Sequence, residues 1–263
     1  MNKFLALLLC LFFSGCAAVP ITGRKQLSFI PEGELMTLST QNYQEVLSTS
    51  KLSTDAASSA KVTSVGKKIA AAAEAFMREN GMTKQLASYH WEFNLIDDPK
   101  TVNAFCMPGG KIVVYTGILP VVKDENGLAA VMSHEVAHAL ANHGGERMSQ
   151  QLLVQFGGMG LQELMKSKPD KAKQIFSQVY GAGAQYGVLL PFGRGQETEA
   201  DHIGLILMAR AGYDPRTAIA FWNRMGALSQ SAPPEFLSTH PSNARRVADI
   251  NKAIPEALKY YKK

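Results

Sequence analysis

The run His134-Glu135-Val136-Ala137-His138 contains residue types that can bind a metal ion and activate water. Residues four apart lie on one face of a helix with Cβ atoms about 5–6 Å apart, so His134 and His138 could share one Zn²⁺. Glu135 would then lie beside a metal-bound water. The flanking residues are apolar, and a buried His or Glu needs a partner such as a metal. The spacing predicts the centre of a zinc peptidase.

A third ligand is expected from a second helix. A metzincin would need Gly at position 141 and His at 144, and this chain has Ala141 and Gly144, which excludes that class. The segment 196–202 instead offers Glu197 as a ligand. Asp201 would lie one turn on, where it could accept a hydrogen bond from a zinc-bound imidazole. Glu199 lies about 200° around the helix from Glu197 and remains the alternative ligand.

The N-terminus resembles an export signal. A lysine, about ten apolar residues and a Ser-Gly-Cys ending predict a lipoprotein signal peptide over residues 1–15, too short to span a membrane. Cys16 would be the lipidated residue, and residues 16–32 a lipid-anchored tether. An ordinary signal peptide cut nearby is the alternative. With Ala17 in place of Asp after the cysteine, the segment resembles lipoproteins sent on to the outer membrane, so the expected location is the periplasmic face of that membrane.

Cysteine usage and charge narrow the function further. Cys10 would leave with the signal and Cys16 would carry the lipid, so Cys106 could form no intrachain disulfide and is expected to be a small apolar core residue. The formal net charge is +5, and the basic residues are scattered, so no nucleic-acid surface is expected.

Apolar spacing predicts the elements that position these residues. Two helices are expected between 33 and 80, a strand at 91–96, and a hairpin turning at Pro108-Gly109-Gly110. Asp124 should cap a helix that ends at Gly144-Gly145. A further helix is expected from Gly195 to Arg210, another starts at Asp214-Pro215, and the last runs from about Pro241. The fold class is mainly α with a small β-sheet (α+β), a zincin-like domain over residues 33–263.

Two segments are candidates for substrate handling. The hairpin could pair with an extended peptide, and its candidate substrate-binding residues are Asn103, Ala104, Phe105, Gly109 and Gly110. A purely structural hairpin is the alternative. Residues 157–195 are rich in glycine and could form a mobile lid, or they could allow close helix packing.

The order His-Glu-x-x-His, Glu-x-x-x-Asp and a late His-Pro resembles the metalloendopeptidase family of the CAAX prenyl protease and HtpX. Asn103-Ala104-Phe105, Pro108-Gly109-Gly110 and Ser238-Thr239-His240-Pro241-Ser242 are similar to its periplasmic lipoprotein branch, the BepA and LoiP type. The chain is expected to be similar to the short LoiP-like form, without the C-terminal repeat domain of BepA-like members. The similarity extends from about residue 33 to 250.

This resemblance implies a zinc-dependent endopeptidase with one Zn²⁺ per chain. Misfolded or unassembled envelope proteins would be its substrates, and the outer-membrane assembly machinery is a possible partner. It implies that Glu135 is the general base and that His240 stabilises the transition state or covers the metal. A surface histidine that caps the last helix is the alternative for His240. Arg245 or Arg246 could assist. The alternatives are a chaperone or assembly factor for outer-membrane proteins with latent proteolytic activity and, third, a hydrolase of cell-wall amides.

Overall fold

The computed structural model describes residues 16–19, 22–156, 161–180, 193–228, 236–237, 240 and 244–262. Helices dominate these residues, with one three-stranded and one two-stranded sheet, which confirms the predicted fold class. The predicted signal peptide lies outside the described residues, as do most of the glycines of the predicted lid. No helix among the described residues combines the length and apolarity needed to cross a membrane.

The strands form one small hairpin and one mixed sheet. They are β1 (Cys16–Ala18), β2 (Lys25–Leu27), β3 (Glu92–Ile96), β4 (Ala104–Met107) and β5 (Lys111–Tyr115). β1 pairs with β2 antiparallel, whereas β5 lies between β3, which it pairs with in parallel, and β4, which it pairs with antiparallel. β4 therefore forms an edge of the mixed sheet.

Eleven α-helices surround the sheet in the described part of the chain. They are α1 (Glu32–Thr49), α2 (Ala56–Glu79), α3 (Thr83–Leu86), α4 (Leu119–Val122), α5 (Glu125–Leu140), α6 (His143–Phe156), α7 (Leu161–Ser167), α8 (Pro169–Tyr180), α9 (Gly193–Arg210), α10 (Ala218–Leu228) and α11 (Ala244–Ala257). The predicted pair of helices before residue 80 is confirmed as α1 and α2, and the predicted start of α11 at Pro241 lies outside the described residues.

Both faces of the mixed sheet are buried. Side chains alternate between the two faces along each strand, so each strand contributes to two cores. Ile112 and Val114 of β5 point into a core shared with α2, α5, α9 and α10, and Cys106 lies in this core as a buried free thiol, as predicted. Val113 and Tyr115 point into a second core shared with α1, α6 and α8. The sheet thus separates the two apolar clusters.

The predicted hairpin is confirmed and turns at glycine. Gly109 and Gly110 have φ of +81° and +82°, a conformation that glycine adopts at little steric cost. A Cβ at Gly110 would come within 2.6 Å of the Trp91 ring, so this turn packs tightly against the strand entry before β3.

The boundary between α5 and α6 differs from the prediction. Asp124 caps α5 by accepting a hydrogen bond from the Gly127 amide, as predicted. However, α5 ends at Leu140, and the break falls at Asn142, whose φ of 52° is left-handed. Asparagine tolerates this conformation better than most residues. The Gly144-Gly145 pair, expected to end α5, instead lies in the first turn of α6.

Residues 16–32, the predicted tether, include regular structure. They contain the β1–β2 hairpin, and Val19 between the strands is 1% exposed and packs into the larger core. Two backbone hydrogen bonds close the turn, from Val19 N to Arg24 O at 2.8 Å and from Gly23 N to Val19 O at 2.9 Å. The hairpin is part of the packed structure.

Two buried helices, α5 and α9, cross in direct contact at Gly204. A Cβ at this position would lie 3.1 Å from both the Cα and the backbone nitrogen of His134. Every residue of α5 from Gly127 to Leu140 is buried, and most of α9 is buried too. Small residues permit this approach, which brings the acidic start of α9 beside the two histidines of α5.

Candidate metal centre

Four buried side chains meet where α5 and α9 cross. His134 and His138 come from α5, Glu197 from α9, and His240 from the segment before α11. One potential ligand atom from each residue lies within 4.8 Å of all the others. The structure thus brings together the predicted ligands and adds His240 to them.

The spacing of these atoms fits a zinc ion. His134 Nε2 lies 3.1 Å from His138 Nε2 and 3.2 Å from His240 Nδ1. Glu197 Oε1 is 3.2 Å from His138 Nε2, and Glu197 Oε2 is 3.4 Å from His134 Nε2 and 3.0 Å from His240 Nδ1. Ligand atoms of a tetrahedral site with Zn–N and Zn–O bonds of about 2 Å lie about 3.3 Å apart, which is close to these distances. Three imidazoles and one carboxylate suit zinc, so the group can hold one zinc ion.

Glu135 lies beside this cluster without ligating it. Its side chain is buried, and its Oε1 has no hydrogen-bond partner among the described residues. The nearest cationic candidate is His240 Nε2, at 3.6 Å from Oε1. Burial raises the pKa of Glu135 to about 7. A buried carboxylate oxygen of this kind is suited to accept a proton from a water molecule at the metal.

The structure separates the two candidate acids of α9. Burial alone would raise the pKa of Glu197, but the His240 and His138 rings hold this pKa well below its usual range. Glu199 is turned away from the cluster and instead contacts His143, with 2.8 Å between His143 Nε2 and Glu199 Oε2. Of the two, Glu197 is therefore the residue placed as a ligand.

His134 is supported by a buried carboxylate and a buried cation. Its Nδ1 lies 3.0 Å from Asp201 Oδ1, as the spacing of Glu197 and Asp201 predicted. Arg246 donates two hydrogen bonds to Asp201, of 2.7 and 2.8 Å, and its guanidinium carbon lies 3.3 Å from the centre of the Trp222 ring. Arg246 Nη1 also lies 3.1 Å from Glu197 Oε2.

These contacts show which of Arg245 and Arg246 belongs to the site, a choice that the sequence left open. The side chain of Arg245 is 84% exposed, whereas that of Arg246 is 5% exposed and contacts the metal-site acids. Arg246 therefore offsets part of the negative charge that Glu197 and Asp201 bring to a buried site.

His138 has a different support, which the sequence reasoning missed. Its Nδ1 lies 2.8 Å from Nδ1 of His143, a buried residue at the start of α6. Arg24 of the N-terminal hairpin contacts Glu199, the carboxylate that lies against the other nitrogen of His143. Neither contact has a signal in the sequence, because residues five apart lie about 140° apart around a helix and Arg24 is distant from Glu199 along the chain.

The predicted substrate-binding residues do not all lie near the metal. Ala104 and Phe105 belong to β4, which packs against α5, and Asn103 is buried just before them. Gly109 and Gly110 form the turn, and a Cβ added at either glycine would contact Met36, Ser88 or Trp91 rather than a metal ligand.

Comparison with known proteins identifies similar sequences. A family model described as Peptidase family M48 matches residues 57–254. The mitochondrial metalloendopeptidase OMA1 of Schizosaccharomyces pombe is 41% identical over 174 residues, covering 65% of this chain and 49% of that protein. OMA1 of Saccharomyces cerevisiae is 30% identical over 284 residues, covering 99% of this chain and 76% of that protein. The beta-barrel assembly-enhancing protease of Escherichia coli is 32% identical over 165 residues, covering 60% and 33%.

The chain spans about half the length of the first of these relatives. The comparison also corrects two expectations. The assignment to the BepA and LoiP branch is not supported, because the mitochondrial relatives match more of the chain than the bacterial protease does. For the same reason, the expected role as a periplasmic protease lipid-anchored at the outer membrane through Cys16 is wrong, since the better-covering relatives are mitochondrial enzymes.

Proposed function

Because this chain belongs to peptidase family M48, we propose that it is a zinc-dependent metalloendopeptidase that cleaves extended segments of protein chains. One observation carries the proposal: beside the His134, His138 and Glu197 cluster lies the Oε1 atom of Glu135, which has no hydrogen-bond partner among the described residues. The relatives from both yeasts are named metalloendopeptidases, which supports the same reaction.

In this proposal, His134, His138 and Glu197 hold the metal and Asp201 orients His134. When bound, zinc supplies an acidified water and polarises the peptide carbonyl. Glu135 takes a proton from the attacking water and later passes it to the leaving amine. Burial raises the pKa of Glu135, which makes this carboxylate a better proton acceptor.

His240 has a distinct part in the reaction. Its Nδ1 lies 3.0 Å from Glu197 Oε2 and 3.2 Å from His134 Nε2, the separation of two ligands on one metal ion, so four protein groups fill the cluster in this structure. A catalytic zinc needs one position for water, which three protein ligands leave open and four close. We therefore assign the described arrangement to a resting state, and His240 must withdraw before a substrate is cut.

Substrate recognition is assigned to the edge of the mixed sheet. β4 pairs with β5 on one side, and none of the described strands pairs with its other side. A substrate segment could add to this edge as a strand, with Asn103, Ala104 and Phe105 beside it, and backbone hydrogen bonds would give a broad sequence preference. Unfolded protein is the substrate class that offers such segments.

Replacing Glu135 tests the proposed reaction. Glu135→Gln keeps the shape of the side chain and removes the base, so casein cleavage should fall by about 10²–10⁴-fold while the zinc content stays near one per chain. Glu45→Gln, at an exposed position on α1, is the matched control and should retain full activity. Full cleavage by Glu135→Gln would refute the mechanism, and a wild type that binds casein without cutting it would favour a protein that only binds unfolded chains.

Replacing His240 tests the resting state. With zinc in excess, His240→Ala should cleave casein faster than wild type, because the fourth position is then open to water. If His240 acted only by stabilising the transition state, the same variant would instead lose about 10²–10³-fold in kcat. The sign of the change decides between the two roles.

A further inference from the structure

The N-terminal hairpin lies outside the part of the chain that matches the family, yet it reaches the metal centre. The family match begins at residue 57, whereas the hairpin comprises β1, β2 and the turn between them. Val19 holds the hairpin in the core, and Arg24 leaves the turn toward the start of α9.

Arg24 joins two buried carboxylates. Its Nε donates to Glu199 Oε2 at 2.8 Å, and its Nη1 and Nη2 donate to the two oxygens of Glu146 at 3.0 and 2.8 Å. The side chains of Glu146 and Glu199 are each 4% exposed. Thr22 of the same turn donates its hydroxyl to Glu199 Oε1. Buried carboxylates need such a cation, since an unpaired buried charge is strongly destabilising.

The contacts continue from Glu199 to a proposed ligand. Ionised Glu199 can only accept, so His143 donates its Nε2 proton to it. The other nitrogen of a neutral His143 is then an acceptor, and it lies 2.8 Å from His138 Nδ1, which must donate. His138 is thereby held in the tautomer whose Nε2 carries a lone pair, and Nε2 is the atom that faces the cluster.

We propose that Arg24 is a positioning residue for the metal ligand His138, acting through Glu199 and His143. The N-terminal hairpin then helps to orient a metal ligand, in addition to connecting the domain to upstream residues. This inference rests on the proposed function, because it takes His138 as a ligand.

Zinc affinity of the full chain tests the proposal without measuring cleavage. In the Glu135→Gln background, Arg24→Ala should weaken zinc binding about 10-fold in competition with a chromogenic chelator, at the lower end of what outer partners of metal ligands contribute. It should also alter the visible absorption spectrum of the Co²⁺-loaded protein. Arg210→Ala is the matched control, because Arg210 makes a similar two-point contact to Glu79 on the surface, and it should leave both readouts unchanged.

Two further variants separate a relay from general loss of structure. Arg24→Lys keeps the charge but cannot bridge both carboxylates with a fork, so its zinc affinity should lie between wild type and Arg24→Ala. The Arg24→Ala, Glu199→Gln double variant should bind zinc no more weakly than Glu199→Gln alone, because both changes break the same relay.

Additive losses in the double variant, or unchanged zinc affinity in both Arg24→Ala and Arg24→Lys, would overturn the proposal. If Arg24→Ala does not fold, Arg24→Lys decides alone. Failure of the proposed function is distinguishable, since it would show as a wild-type chain that binds no zinc or as full casein cleavage by Glu135→Gln.

Discussion

The two histidines of α5 are four residues apart and both buried, but they are held by different chemistry. His134 meets the carboxylate of Asp201, which Arg246 clamps against the Trp222 ring inside the core. His138 meets the imidazole of His143, and its support ends at Arg24, whose side chain is 30% exposed. One ligand is therefore fixed from within the family-matched region and the other from an N-terminal hairpin at the surface.

The difference has an electrostatic side. A carboxylate partner raises the basicity of an imidazole ligand more than a neutral imidazole partner does. Burial also lowers the pKa of His138 well below its usual value and lowers the pKa of His143. Glu199 thus orients His138 only through a hydrogen bond between two neutral imidazole rings.

The His134 side should show the largest loss of stability. Arg246→Met leaves Asp201 and Glu197 as buried charges without their cation, so the unfolding free energy of the metal-free protein should fall by about 3–5 kcal/mol. Denaturant titration measures it. Arg245→Met changes an exposed neighbour and should alter stability by less than about 0.5 kcal/mol. Equal effects of the two substitutions would contradict the assigned roles.

A smaller effect is expected when the partner of His134 loses only its charge. Asp201→Asn keeps the size of the side chain, but it weakens the orientation and basicity of His134, so zinc should bind about 10–100-fold more weakly. Chelator competition gives the dissociation constant. Asp249→Asn, which removes a carboxylate that pairs with Lys252 on the surface of α11, is the control. An unchanged zinc affinity in Asp201→Asn would mean that the His134 contact has no positioning role.

The His138 side should show the smallest effect, and it depends on pH. Burial alone would raise the pKa of Glu199, but hydrogen bonds from His143, Thr22 and Arg24 lower it to about 2. A depressed carboxylate pKa stabilises the fold above the unfolded pKa of about 4.5, and this stabilisation is lost as pH falls toward 2.

The stability gap between metal-free wild type and Glu199→Gln should therefore narrow by about 1.4 kcal/mol between pH 5.5 and 3.5. Chemical denaturation at the two pH values measures the gap. Glu45→Gln, at an exposed position of α1, is the control substitution. A constant Glu199 gap would show that this carboxylate titrates alike in the folded and unfolded chain.

The parts of the centre that depend on local spacing were predictable. His134, Glu135 and His138 share one helix, and Glu197 and Asp201 share another, so a helical period places each set on one face. The helices before residue 80, the Asp124 cap and the Gly109-Gly110 turn follow from similar short-range patterns. The structure confirms these helices, this cap and this turn.

The parts that depend on distant packing were not predictable. Arg24 and Glu199 are 175 positions apart, and no periodicity relates them. Arg245 and Arg246 are neighbours with the same side chain, and only the orientation of α11 decides which one is buried. The break at Asn142 was misplaced because two adjacent glycines gave a stronger local signal than one asparagine in a left-handed conformation.

The contact at Gly204 means that the metal centre can be damaged without altering any group that touches the ion. Position 204 lies almost two helical turns beyond Glu197, and a side chain there would press against the backbone of His134. The wedge would shift one ligand relative to the other two by tenths of an ångström, enough to distort a tetrahedral site. A side chain larger than the hydrogen atom of glycine at the helix crossing would therefore disturb the geometry of the site.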